Sequence, residues 1–214
     1  MDCCATQRGL QRLFGRRTAQ SEARAYRKNG VPGRLRRVLR YLTDQGVVGD
    51  TVLDIGFGVG AAHLELLRAG ATHATGLELA PAYVSEARGL AAEFGLAGAV
   101  DYHVGDYARI HAEVPVADVV VLDRAVCCYP DWRAIIEPSA QSAKQWYVLV
   151  LPVDRWYVRA GTRLLNGAMT VIRHEYRAFA HPHHAIEAAL GAAGLRRAFS
   201  TRTLLWNAQI YARA

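Results

Sequence analysis

A chain of 214 residues with a hydrophobic fraction of 51% can build one substantial core with modest extensions, and two full domains would be cramped. No apolar run approaches the roughly 20 residues that cross a bilayer, and no apolar core follows Met1-Asp2-Cys3-Cys4 as a secretion signal requires; a soluble, cytoplasmic protein is expected. The formal charge of +7 is concentrated near the start, where Arg8, Arg12, Arg16, Arg17, Arg24, Arg27, Lys28, Arg34, Arg36, Arg37 and Arg40 stand against Glu22 alone.

Residues 1–48 read as a basic helical arm. Leu10, Leu13 and Phe14 give one short apolar face, Leu35, Val38, Leu39 and Leu42 another, and Asn29-Gly30-Val31-Pro32-Gly33 breaks the chain between them. Such an arm could meet nucleic acid, an acidic substrate or a membrane surface. A solvated arginine-rich face is at least as good a reading, because no interleaved aromatics or recognisable nucleic-acid module accompany it. Tyr26, just before the break, is placed either to fold over a ligand or simply to pack. The cysteines come as two adjacent pairs, Cys3/Cys4 and Cys127/Cys128, which is neither zinc-site nor disulfide-framework spacing, so free thiols are expected.

From residue 49 onward short apolar runs alternate with helical patterns, predicting a mostly parallel sheet covered by helices. Strands are expected at Thr51–Ile55, His73–Glu78, Val100–Val104, Ala117–Leu122 and Trp146–Leu151, with helices near 61–69, 81–94, 107–112 and 131–143. An amphipathic helical stretch, Arg155–Ile172, lies within 153–180, read as an insertion that caps the substrate. A further helix follows at His181–Ala193, and two late strands fall within Arg197–Ala212.

Ligands of open α/β sheets bind at the carboxyl ends of the strands. The first strand runs into Asp54-Ile55-Gly56-Phe57-Gly58-Val59-Gly60 and then a helix, a loop suited to close backbone approach and to a free helix N-terminus. Glu78, followed by Leu79, ends the second strand about 20 residues on, where an acid accepts from both hydroxyls of a ribose; capping the next helix is its other reading. The glycine spacing also fits a dinucleotide site. Asp54 argues against that reading, because a carboxylate beside the loop repels a pyrophosphate and suits the ammonium of S-adenosylmethionine. Asp106, in Val104-Gly105-Asp106-Tyr107, offers an acceptor to an adenine amino group.

Val52–Gly60, Glu78, Gly105-Asp106 and Ala117–Asp123 resemble the ordered motifs of class I S-adenosylmethionine-dependent methyltransferases, across about residues 48–152. The resemblance implies an α/β, Rossmann-like seven-stranded sheet in the order 3-2-1-4-5-7-6, strand 7 antiparallel, with helices on both faces. It implies that Asp54, Gly56, Phe57, Gly58 and Gly60 lie near the methionine part of the cofactor. Glu78 and Leu79 then meet the ribose, Gly105, Asp106 and Tyr107 the adenine, and Asp123 and Tyr26 complete the cofactor set. Val121–Asp131 with Arg155-Trp156 further resembles a bacterial branch grouped with magnesium-protoporphyrin O-methyltransferase, which methylates a carboxylate on a planar macrocycle.

The acceptor is expected to be a small apolar or aromatic molecule, methylated on O (a carboxylate included), N, S or C. Arg124, Cys128, Trp132, Arg155, Trp156 and Arg159 are its candidate contacts, and Leu164, Leu165 and Met169 candidate apolar wall; closing the protein's own core is an equal reading for the aromatics. A base is needed only if the acceptor must lose a proton, and Tyr129 and His181 are then candidates, with His183 and His184 beside them. No metal is expected, since adjacent histidines at His181-Pro182-His183-His184 do not converge on one point. Two alternatives stand: an RNA-directed methyltransferase or nucleic-acid-binding protein using the arm, and an NAD(P)-dependent oxidoreductase, which Asp54 opposes and for which no Tyr-x-x-x-Lys pair is present. Alanine at Asp54 or Glu78 is expected to weaken cofactor binding without unfolding the domain.

Overall fold

The computed structural model describes residues 3–214, with side chains from residue 8 onward. The thiol state expected for Cys3 and Cys4 lies outside the described side chains. Three helices open the chain: α1 (Cys3–Leu13), α2 (Arg16–Asn29) and α3 (Gly33–Asp44). Gly30 at φ 66° ends α2 at the anticipated break, a left-handed turn that side chains with a Cβ resist.

The alternating region follows: β1 (Thr51–Ile55), α4 (Ala61–Arg68), β2 (His73–Glu78), α5 (Pro81–Glu93), β3 (Val100–Val104), α6 (Tyr107–Ile110), β4 (Ala117–Asp123), α7 (Arg133–Ser142) and β5 (Ala143–Pro152). After α8 (Trp156–Val171) and α9 (His183–Ala192), the antiparallel pair β6 (Leu195–Arg202) and β7 (Trp206–Arg213) completes the sheet. The sheet order is β3-β2-β1-β4-β5-β7-β6, with β7 antiparallel to both neighbours, as the motif resemblance implied. β5 begins three residues earlier than its apolar run, because Ala143 already pairs with Ala117 of β4. The polar Lys144 and Gln145 hide that start from a reading by hydrophobicity alone.

Alternate residues of the central strands feed two cores. Val52, Val119, Val121, Val148 and Val150 pack on one face with α2–α5, whereas Leu53, Ile55, Val120, Leu122 and Leu149 pack on the other with α7 and α9. Strands covered on both sides are mostly apolar, which is why β1 and β4 read as near-continuous apolar runs, interrupted by Asp54 and Asp118. The arm is more deeply integrated than a cap leaning on an edge. Ala19, Ala23, Leu35, Val38 and Leu42 are buried in the same core as β1 and β4. α1 lies against the segment after α8: a Cβ at Gly9 would overlap the backbone of Tyr176, and Arg8 and Arg12 both reach Glu175 (3.2 and 3.7 Å). The edge strand β6 exposes Arg196, Arg197 and Arg202, charges that discourage pairing with another sheet.

Candidate cofactor and acceptor site

The carboxyl ends of β1, β2 and β4 meet two adjoining cavities of about 180 and 530 Å³, which share Glu22, Gly56, Gly58, Asp123 and Arg124 in their walls. At the turn after β1, Gly56 sits at φ 68° and a Cβ there would come within 2.8 Å of the Ala125 methyl group. Both the backbone angle and the close approach therefore require glycine.

Glu78, at the end of β2, lines the smaller cavity. Its Oε2 accepts from the Gly58 N–H (3.0 Å) and its Oε1 from the Ala80 N–H (3.1 Å). An ionised carboxylate has about four acceptor directions, so these backbone donors leave acceptor capacity for a ligand. Burial pushes its pKa above the ordinary 4.5, and the backbone donors act in the opposite direction. Both readings of Glu78 thus coexist: it braces the glycine loop and the start of α5, and it still presents acceptors to the cavity.

Asp54 is fully buried, and its Oδ2 is hydrogen-bonded to Nδ1 of His63 (2.9 Å), whose Nε2 in turn meets the Tyr102 hydroxyl (2.9 Å). The carboxylate thereby has a structural partner that the sequence reading missed. Its other oxygen, Oδ1, is buried with no hydrogen-bond partner among the described residues, and Asp54 lines the larger cavity. That cavity is also lined by Arg34 of α3, whose Nε is likewise buried and unpartnered. Arg34 is held by its terminal nitrogen on Asp123 (3.0 Å to Oδ2) at the end of β4. Both residues thus carry a buried polar atom without a partner, an acceptor on Asp54 and a donor on Arg34, and their opposite charges suit the two ends of an amino-acid zwitterion. Nothing in the sequence distinguishes Arg34 from the other arginines of the arm.

Asp106 caps α6 by accepting from the Ala108 N–H (3.1 Å) and also accepts from the Tyr129 hydroxyl (2.7 Å), both on Oδ1. Gly105 and Tyr107 line the smaller cavity, although the Tyr107 hydroxyl is turned away to Ser142 (3.0 Å). Phe57 lies in the wall of the larger cavity, with its ring packed against Tyr102 and the face of Gly76. Tyr26 lines the larger cavity and donates to Glu65 (2.7 Å), so it is a packing residue as well as a wall. Gly60 precedes α4 at φ 83°, and Leu79 lies in the wall of the smaller cavity.

Two candidate bases have other duties. The Tyr129 hydroxyl donates to Asp106, and burial pushes its pKa well up, so it stays protonated at neutral pH. Nε2 of His181 faces the carbonyls of Val126 and Tyr129 (3.2 and 2.9 Å), so it carries the proton; burial lowers the ring's pKa, and the residue is outside both cavity walls. Cys127 and Cys128 are free, and both line the smaller cavity. The contact with Cys128, together with burial, pushes the Cys127 thiol up.

Of the expected acceptor contacts, Arg124 and Cys128 reach the smaller cavity, whereas Trp132, Arg155, Trp156 and Arg159 do not. Trp132 is buried beside α7 with Arg133 over its ring, Trp156 is exposed, and Arg159 pairs with Asp154. The segment 155–172 faces solvent because amphipathic spacing identifies a helix without saying which of its faces is covered. The aromatic wall comes instead from Phe14, Tyr83, Tyr176 and Trp206, with Phe14 edge-on to both tyrosines (6.0 and 6.1 Å between ring centres). Arg34 and Arg124 both approach the Trp206 ring (5.6 and 5.8 Å). Arg124 holds φ 62°, an uncommon left-handed conformation for a residue with a Cβ. Among the described residues no cluster of three or more potential metal ligands occurs.

Residues 52–145 match the model of a methyltransferase domain. No curated protein matches the sequence. Among solved structures, magnesium protoporphyrin IX methyltransferase from Synechocystis PCC 6803 with bound S-adenosylhomocysteine superposes with a TM-score of 0.76 at 21% identity, over 98% of this chain and 100% of that one. An O-methyltransferase family protein from Burkholderia thailandensis gives 0.68 at 19% identity over 92% and 60%. An O-methyltransferase family 2 protein from Planctomyces limnophilus in complex with apigenin gives 0.62 at 12% identity over 87% and 63%. At these identities the superpositions speak for the fold, and the domain match speaks for the activity. Residues 52–145 thus carry a methyltransferase domain, set in the fold of a methyltransferase solved with S-adenosylhomocysteine bound.

Proposed function

We propose that the protein transfers a methyl group from S-adenosylmethionine to an oxygen, most simply a carboxylate, on a small apolar or aromatic molecule in the cytoplasm. The observation that carries this reading is the pairing of the two cavities: one has unpartnered polar atoms of both signs, the other a carboxylate under an aromatic wall. In this reading Asp54 Oδ1 accepts from the cofactor's ammonium, Arg34 Nε donates to its carboxylate, and Glu78 accepts from the ribose hydroxyls. Gly105 and Tyr107 face the base. When bound, the cofactor supplies an electrophilic methyl group on a sulfonium.

The chain's own contribution is alignment and exclusion of water. Phe14, Tyr83, Tyr176 and Trp206 form the apolar wall on which a flat acceptor rests, and the Arg124 guanidinium at its rim holds an acid group. Positioning a nucleophile in line with the departing sulfur can supply most of the rate enhancement. A carboxylate needs no base, which agrees with Tyr129 and His181 being engaged elsewhere. The magnesium-protoporphyrin enzyme among the structural neighbours fits this class of acceptor, although a shared scaffold does not fix the substrate.

The test is incubation with methyl-labelled cofactor and cell extract, followed by separation into organic-soluble, protein and RNA fractions. Label in an organic-soluble compound is expected. Label confined to RNA would replace this reading with the nucleic-acid one, for which the basic arm is the only support.

A pH dependence follows from Glu78. Its raised pKa favours the unliganded fold at low pH, and that contribution is lost as pH rises through the shifted value. Ribose hydroxyls donate to the ionised form, so ligand binding has the opposite sign. Affinity for S-adenosylhomocysteine should rise from pH 4.5 upward and level off above the shifted pKa. Titration calorimetry on the wild type and Glu78→Gln checks it; the variant should lack this rise.

A further inference from the structure

Helix α8 contains no buried residue along its sixteen positions. Trp156, Ala160, Leu164 and Val171 recur at helical spacing and share one side, and Trp156, Leu164 and Val171 are 79, 75 and 83% exposed. The helix has no acid, and its two charges, Arg159 and Arg163, fall together along one edge of the apolar side.

This side is fixed outward. On the opposite side the Asn166 side chain donates to the Ala178 carbonyl (2.8 Å) and accepts from the Ala178 N–H (2.9 Å), tying the helix to the segment behind it. At the N-terminal end the Tyr157 hydroxyl donates to the Leu204 carbonyl (2.7 Å), which brings the exposed Leu204 of the β6–β7 turn alongside. Arg155, Arg173 and Arg177 add positive charge nearby. The acids of the region are Asp154, paired with Arg159, and Glu175, paired with Arg8 and Arg12.

We infer that α8 is a membrane-surface helix: its apolar side enters the headgroup boundary of an anionic bilayer while Arg163 meets lipid phosphates. The charge pattern selects this occupant. A second copy would bring arginines against arginines with no unpaired acid among the described residues of this face to match them, and a nucleic acid would engage the arginines while leaving Trp156, Leu164 and Val171 in water. An anionic bilayer takes both parts, which is the arrangement of interfacial amphipathic helices. No helix among the described residues is long and apolar enough to cross a membrane, and α8 need only lie on one. The segments joined to α8 also supply Tyr176 and Trp206 to the acceptor cavity. An apolar acceptor dissolved in lipid would then enter beside the bilayer; that consequence rests on the proposed function, whereas the membrane binding does not.

Flotation of the full chain with vesicles tests it, using phosphatidylcholine alone and an equal mixture of phosphatidylcholine and phosphatidylglycerol. The chain should float with the mixture and stay behind with phosphatidylcholine. Leu164→Gln with Val171→Gln should lower partitioning about a hundredfold, and Arg163→Gln about fivefold. All variants should bind S-adenosylhomocysteine like the wild type, which separates lipid binding from the fold and from the cofactor site. The inference is overturned by equal flotation on both vesicles, by flotation on neither, or by a double variant that floats unchanged. A dimer in solution that the double variant dissociates, or RNA retained through this face in place of vesicles, would overturn it equally.

Discussion

Glu78→Ala should weaken S-adenosylhomocysteine binding by about a hundredfold, from the loss of two hydrogen bonds between ribose hydroxyls and a charged acceptor at about 1.5–3 kcal/mol each, partly offset by removing a desolvated charge. The same substitution also frees the Gly58 and Ala80 N–H groups, so the glycine loop loosens. The two effects separate experimentally. Glu78→Gln retains an oxygen for one backbone donor and should keep most of the melting temperature while losing much of the affinity. Calorimetry with both variants, beside their unfolding curves, checks the split. Unchanged affinity in both would remove Glu78 from the cofactor site.

Asp54→Ala should cost about 3 kcal/mol of stability, the penalty for stranding the buried His63 ring that it partners. For a chain of this size that lowers the melting temperature by about 10 °C. To the expectation that Asp54→Ala weakens cofactor binding without unfolding the domain the structure adds a loss of stability, because the residue also holds α4 and β3 through the line Asp54–His63–Tyr102. Thermal unfolding without ligand measures this directly. A melting temperature within a degree or two of the wild type would mean that the buried pair contributes nothing.

These two acids show what could be read from the chain and what could not. The sheet was legible because strands covered on both faces are mostly apolar, and because the strand, glycine turn and helix at Val52–Ala69 have few alternative readings. Asp54 and Glu78 stood out because they fall at strand ends beside that turn. His63 gave a weaker signal, a polar residue within the apolar helix Ala61–Arg68, and was passed over. Arg34 gave none, since its role arises only when folding brings the start of α3 within reach of Asp123 at the end of β4. The aromatic wall was misplaced for a related reason. Phe14, Tyr83, Tyr176 and Trp206 come from four distant segments, and only the folded chain brings them to one cavity. Trp156, by contrast, looked like a wall because it lies in an amphipathic stretch, whereas the fold turns that side to solvent.

The two-cavity account of cofactor binding has one direct test: calorimetric titration with S-adenosylhomocysteine and with 5′-methylthioadenosine, which has the nucleoside but neither the ammonium nor the carboxylate. Asp54→Asn should weaken S-adenosylhomocysteine by about tenfold or more, through loss of the charge facing the ammonium, and leave methylthioadenosine unchanged. Glu78→Gln should weaken both. If Asp54→Asn weakened the two ligands equally, or neither, the amino-acid end of the cofactor would not lie between Asp54 and Arg34, and the account would be contradicted.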